Sequence, residues 1–548
     1  MFRKRDSQSS LFGTSNLMPA AKQQRVAKTW AAPFRERALP LIEEDVFARL
    51  YCADNGRPNR PVQTVFGVLL LKEMFGLTDA EALEQLEFNV LWHHALDLTL
   101  EEAHLPQKTL HNFRARLMAD DQGRLAFETT TGRILAALGT DVSRQRLDST
   151  HVMSNMAVRT RLGLFCETMR VFLKDLEKQH PQLTAAVPVR LWRRYVKGDG
   201  TASGYQDARS SAGRRRLEVC ARDLYRLCTE FADTPAAALA SYGLLQRLLE
   251  EQCAVGVSPQ EPHDDADDAG EGGVPVILKA KHNVTGSSLQ SPHDPDATYS
   301  GHKGKGYSVQ VSETCGPDNE TQIITHVSVT DACVSDAQAT MPVLGDLDER
   351  DMRPDELVAD TLYGSAENAM AAEAMRTELV SPVGGSTAPE DTATKLSAAD
   401  FEMDAEGTGR CPAGHAADTQ QVPNARSQRV LLGFVQATCA ACPLRSYCPV
   451  TWHAPTQTYT VRIYPRASHL ARRRRAQTGA TFRERYAIRA GIEATNSELK
   501  RGHGLGHLRV RGRPRVVLAT YLKALSCNIK RMVMATLRAA EAPTPAMA

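Results

Sequence analysis

At 548 residues, 42% hydrophobic and 24% charged, the chain is long enough for about three or four domains and reads as globular. No apolar run approaches 18 residues and no signal peptide opens the sequence, which excludes helical membrane spans and predicts a cytoplasmic protein. The net charge of +2 conceals an asymmetry: residues 462–531 carry 18 Lys and Arg against three acids, leaving −13 for the remainder. Such a basic end predicts a polyanion partner. Four successive arginines, Arg472 to Arg475, followed by Arg509, Arg511, Arg513 and Arg515, fit that reading better than a merely solvated surface.

Residues 1–40 are polar and mixed, and read as a poorly ordered tail. From 41 to 140 the periodicity is helical. PVQTVFGVLLLKEMFG starts at Pro61 and stops at Gly76, and Thr78 or Asp79 then caps AEALEQLEFNVLWHHAL. A third helix near PQKTLHNFRARLMAD sets Lys108, His111, Arg114 and Arg116 beside Leu110, Phe113 and Leu117. That unit fits a DNA groove or, equally simply, a packing or dimerisation bundle. Residues 141–156 hold a short strand ending in or just beyond Asp148; a lone Asp there is ordinarily a cap or turn residue. Residues 157–255 return to helical periodicity, as an insertion after the first strand. Residues 256–300 form a linker, whose acidic, Gly-rich HDDADDAGEGG suits a solvated segment better than a metal site.

Strand signals resume in 301–384. GYSVQVSETC and TQIITHVSVTDA alternate around a GPDN turn, and Lys303 and Lys305 before them are candidate phosphate contacts. A helix near 335–349 precedes ELVADTLYGS, a buried strand ending at Asp360, and ELVSPV is another short strand. Residues 385–478 are Cys-rich: Cys411, then Cys439-x2-Cys442-x5-Cys448, with His415 as a substitute ligand. Four thiolates suit tetrahedral Zn²⁺ and would fix a loop-rich module, the alternative being unmetallated thiols. The scattered Cys166, Cys228, Cys315 and Cys527 fit a reducing compartment.

In 479–540, TFRERYAIRAGIEATNSELKRG reads as one helix from Thr481 to Gly502, with Thr481 and Glu484 as a capping box. At about 100° per residue, Tyr486, Arg489, Glu493 and Lys500 fall within roughly 60° of one another, opposite Ile488, Ile492 and Leu499. A carboxylate among a phenol, a guanidinium and an ammonium suits a place where phosphates meet a metal ion. An amphipathic helix with a solvated charged face gives the same pattern. A basic loop and a closing helix follow, and the last residues read as a frayed tail.

Tyr486-x2-Arg489-x3-Glu493-x6-Lys500 matches, residue for residue, the YREK signature of DDE transposases from bacterial insertion sequences, and the chain resembles the insertion-sequence 1182 family. The DSTH segment at Asp148, Phe47, the GRPNRPVQT loop and TLHNFRARL resemble the same family. The likeness spans most of residues 41–535, with the 157–255 and 385–478 inserts matched only loosely. It implies a mixed α/β fold: an RNase H-like core with a helical N-terminal domain, a helical insertion and a Cys-rich insertion. It further implies that Asp148, Asp360 and Glu493 hold two Mg²⁺ ions about 4 Å apart, Mn²⁺ substituting, for strand cleavage and joining. Tyr486, Arg489, Lys500 and Arg501, with Lys303 and Lys305, would contact double-stranded DNA, within a dimer or higher oligomer. A nuclease of the same fold that cleaves without joining, and a DNA-binding regulator derived from a transposase, are the rival readings.

Overall fold

The computed structural model describes residues 2–5, 13–14, 16–52, 58–196, 211–256, 275–383, 396–403, 408–422 and 429–541. The acidic stretch 263–273 lies outside the described residues. A mixed α/β architecture results, built on one six-stranded sheet. Its strands are β1 (Arg144–Val152), β2 (Thr298–Ser300), β3 (Gly304–Thr314), β4 (Ile324–Asp331), β5 (Glu356–Ala359) and β6 (Glu378–Val380). The order is β2-β3-β1-β5-β6, with β4 also pairing β3. β3 runs antiparallel to β1 and β4 antiparallel to β3, whereas β5 is parallel to β1 and β6 to β5. β1 is therefore central, and its end and that of β5 open on the same side of the sheet.

Helices cover both faces of this sheet. On one, Val309, Val311 and Ile324 share an apolar core with the N-terminal helices α1 (Val62–Met74), α2 (Asp79–Phe88), α3 (Val90–Leu96), α4 (Gln107–Met118) and α5 (Gln122–Leu138). On the other, Leu147, Leu357 and Ala359 pack against α6 (Thr340–Glu349) and α7 (Ala366–Ala374). A separate core gathers helical residues 162–248 with Cys253, Val276 and Leu289. Thr78, one of the two caps that the sequence offered, caps α2 and forms a reciprocal box with Glu81.

Two expectations change, and β3 adds a feature that its alternation did not announce. The tail expected at 1–40 is helical at Ala20–Ala27 and fully buries Ala31, Phe34 and Ala38, because Trp30 and Phe34 pack edge-on and Trp30 meets Phe75. β3 does not turn its polar residues to water: Ser308, Gln310, Ser312 and Glu313 are all buried, since both faces are covered and each polar side chain needs an internal partner. Finally, the helix expected over 481–502 is three pieces: α8 (Ala480–Ala487), α9 (Ala490–Ser497) and a π turn at Glu498–Gly502. Its start is Gly479 without a side-chain cap, so Thr481 and Glu484 form no capping box. The break has a physical cause. Arg146 of β1 reaches in and donates to the Ile488 carbonyl at 2.9 Å, which then takes the Gly491 N–H at 3.2 Å in a tighter, three-residue turn. Gly491 makes room, for a Cβ there would stand 1.8 Å from the Arg146 guanidinium.

Candidate active site

Asp148 lies near the middle of β1, opposite Val311, and its side chain is 14% exposed. Oδ1 accepts the Ser149 N–H at 2.8 Å and Oδ2 accepts from Asn496 at 3.2 Å. Burial raises the proton affinity of this carboxyl; the Ser149 N–H and Arg489 oppose the rise, while Asp360 and Asp336 add to it. Asp360 follows β5 directly and takes the Leu362 N–H at 2.8 Å, so the residue sits in a turn that aims it beside Asp148.

The helical residues approach from above. Arg489, at the break between α8 and α9, stands 3.5 Å from Asp148 and 3.2 Å from Glu493, bridging the two acids. Glu493 is 68% exposed. Tyr486 stacks on Phe482 at 5.8 Å, and burial raises its phenol, which Arg489 counters and Asp360, Asp148 and Glu493 reinforce. Lys500 is lowered by burial and by the nearby Lys303, with Asp148 acting the other way. Lys303 donates to Ser149 Oγ at 2.6 Å and to Asp336 at 2.9 Å. The structure thus gathers Asp148, Asp360, Tyr486, Arg489, Glu493, Lys500 and Lys303 in one place. It does not bring Lys305 into that group's bonding, because its ammonium donates to the Arg159 carbonyl at 2.8 Å. Arg501 is exposed one residue beyond Lys500.

Two groups of acids escaped sequence reading. Asp336, 6% exposed, accepts from Ser149, Lys303 and Gln310. Glu313, fully buried on β3, pairs with Arg146 at 2.7 Å and Arg531 at 2.9 Å and accepts from Thr495 at 2.6 Å, pinning α9 to the sheet. A polar residue in an alternating strand looks solvent-facing, so nothing local marked Glu313. For Asp336 the one local signal was Ser335, whose side chain caps the short turn it begins.

Cys411, Cys439, Cys442 and Cys448 are free thiols that line one small cavity together with His415. They stand against the four-stranded sheet β7 (Thr419–Gln421), β8 (Val430–Val435), β9 (Thr451–His453) and β10 (Thr458–Ile463). Burial raises Cys439 and Cys448, and the neighbouring cysteines push both further, a repulsion that a bound cation would relieve. Among the described residues, the group with three ligand atoms within 4.8 Å is instead Glu498, His503 and Cys527. There Glu498 is already held by Arg531 at 3.0 Å, and Lys530 faces His503, so cations occupy that neighbourhood.

Two family models match parts of this chain: a transposase DDE domain over residues 410–533 and a transposase domain (DUF772) over residues 31–116. Together they support a transposase that acts on DNA, of the DDE, insertion-sequence kind. The first match takes in Glu493 but neither Asp148 nor Asp360. No curated protein and no solved structure matches the chain. No helix among the described residues is long and apolar enough to cross a membrane.

Proposed function

We propose that the chain is a DNA transposase, resembling the insertion-sequence 1182 family, that cuts at the ends of an insertion sequence and joins them to target DNA. The observation that carries this reading is the convergence of Asp148 and Asp360, from adjacent parallel strands, with Glu493 and its Tyr486, Arg489 and Lys500 companions. The sheet supports an RNase H-like core: a central β1, the antiparallel β3 with its own antiparallel partners β2 and β4 on one side, and the parallel β5 and β6 on the other.

The donor chemistry fits Mg²⁺ or Mn²⁺, since hard carboxylate oxygens suit these ions and a cation, the Arg489 guanidinium, already stands between Asp148 and Glu493. Asp148, Asp360 and Glu493 would hold two such ions, which supply a deprotonated oxygen nucleophile and charge stabilisation for attack on phosphorus. The chain's own residues do the positioning. Asn496 orients the Asp148 carboxylate, and Lys303 and Lys500 present neighbouring ammonium groups to phosphate oxygens. Tyr486 and Arg489 are placed to contact the same strand, and Arg501 continues the basic track. In the Cys-rich module, the four thiolates would hold a structural Zn²⁺. The protein would work in the cytoplasm, as a dimer or higher oligomer on double-stranded DNA.

The test is incubation of purified chain with Mg²⁺ and DNA carrying the terminal inverted repeats that flank its gene. Cleavage at the repeat ends followed by joining to a target duplex is expected. Cleavage without joining would indicate a nuclease, and binding without cleavage a regulator.

A further inference from the structure

Behind Asp148 and Asp360 lies a buried polar chain that the proposed chemistry leaves unexplained. Asp336 begins a short turn after β4, capped by Ser335, and its side chain is 7% exposed. Oδ2 accepts both the Ser149 hydroxyl and the Lys303 ammonium, each at 2.9 Å. Oδ1 accepts the Gln310 amide at 3.1 Å, and the Gln310 carbonyl in turn accepts the Tyr363 hydroxyl at 2.6 Å. Ser149 follows Asp148 on β1, Tyr363 lies in the turn after Asp360, and Gln310 pairs with Ser149 across the strands. One carboxylate therefore ties together the strand and the turn that carry the two acids.

Asp336 accepts three donors, two on Oδ2 and one on Oδ1, one of them an ammonium, so its charge is already engaged within the chain. That charge compensates Lys303. That ammonium has three donors and uses two, on Ser149 at 2.6 Å and on Asp336. Among the described residues the third has no acceptor and is left for a ligand oxygen, and Lys500 stands near enough for the two ammonium groups to repel. A lysine on its own would keep four free torsions and swing away from a like charge.

We infer that Asp336 is a positioning residue for the proposed transposase reaction: it seats Lys303 against Ser149 so that the ammonium meets the phosphate under attack beside Asp148. The inference rests on the transposase reading for its role in catalysis, but the seating itself is separately measurable. In Asp336→Asn the carboxylate charge is lost while the shape is kept. Acylation of Lys303 by an amine-reactive reagent, read by mass spectrometry, rises several-fold in that variant, whether or not the chain cleaves DNA. Unchanged reactivity overturns the seating.

Where the parent cleaves element ends, Asp336→Asn lowers kcat roughly 10–100-fold, the usual cost of losing a supporting partner at a site of this kind. The salt dependence of end binding stays that of the parent, because Lys303 keeps its charge. Lys303→Ala instead shrinks that slope by about one unit. In the Lys303→Ala background, Asp336→Asn causes no further loss of kcat. A further loss, or a parent rate in Asp336→Asn, overturns the role. If Asp336→Asn does not fold, the paired Lys303→Met/Asp336→Leu chain, with no buried charge, is compared with Lys303→Met alone. Equal rates below the parent's support the inference, and a slower pair or a parent rate in Lys303→Met overturns it. A parent that does not cleave, with Lys303 still unmasked in Asp336→Asn, sinks the transposase reading and leaves the seating standing.

Discussion

Asp148 and Glu493 face one another across Arg489, yet the first side chain is 14% exposed and the second 68%. The strand side of the site is fixed by interactions that do not involve a ligand. Asp148 has two hydrogen bonds, and the Asp336 chain behind it links β1, β3 and the Asp360 turn. On the helical side α8 has no buried residue, and among the described residues Glu493 is held by the Arg489 guanidinium at 3.2 Å. What secures this side is Arg485 of α8, which bonds Glu356 of β5 at 2.7 Å and Glu378 of β6 at 2.6 Å, and, lower down, Thr495 and Arg531 on the buried Glu313. The difference teaches that half of the site is built by folding. On the proposed reading, phosphate and metal would complete the other half, which would limit charge repulsion among the acids until a substrate arrives.

The largest effect should come from the built side. Asp148→Ala or Asp360→Ala is expected to reduce Mg²⁺-dependent cleavage to background with the circular dichroism spectrum and melting temperature unchanged or nearly so. A folded variant cleaving at the parent rate would remove that acid from the site. Next comes the anchor between the two sides. Glu313→Ala leaves the buried Arg146 without its carboxylate and Arg531 with Glu498 as its remaining one, and should cost about 3–5 kcal/mol of stability in denaturant unfolding. A loss below 1 kcal/mol would mean that α9 is held by its apolar face alone.

On the open side the two signs of charge separate. Glu493→Gln should stop cleavage while binding to element ends in metal-free buffer stays equal or tightens. Lys500→Ala should weaken binding to all sequences alike and reduce the slope of log K against log salt by about one unit. Equal loss of end binding in both would make the α9 face a DNA-binding element only. The smallest effect concerns pH. His503 is fully buried beneath this side, and its Nδ1 donates to the Glu73 carbonyl at 3.1 Å. Burial above all pushes its pKa down to about 4 from 6.5, so the unfolded chain binds more protons between those values. The stability it contributes is complete above about pH 6.5 and is lost as pH falls to about 4. His503→Gln should flatten that part of the stability curve, and an unchanged curve would place the effect on other groups.

Much of the site was readable because its signals are local. Asp360 ends an apolar run, and Tyr486, Arg489, Glu493 and Lys500 recur at helical spacing, whereas the strand expected to end at or just beyond Asp148 continues to Val152. What stayed hidden depends on partners distant in sequence. The break at Ile488 is made with Arg146, 342 residues earlier, and the one hint inside 481–501 is Gly491, which by itself says nothing of the arginine it makes room for. Asp336 and Glu313 look like surface acids until helices cover both faces of the sheet, and only then does each need several donors. Lys305 shows the converse: its position beside Lys303 suggested a phosphate contact, but strand alternation turns it to the Arg159 carbonyl.

Amide hydrogen exchange of the full chain, with and without Mg²⁺ and end DNA, tests the contrast most directly. The account predicts that β1 and β3 amides exchange only through global unfolding in either state, whereas residues 480–489 exchange far faster in the free chain and slow markedly in the complex. Equal protection of 480–489 and β1 in the free chain, or no slowing of 480–489 on adding DNA and Mg²⁺, would contradict it.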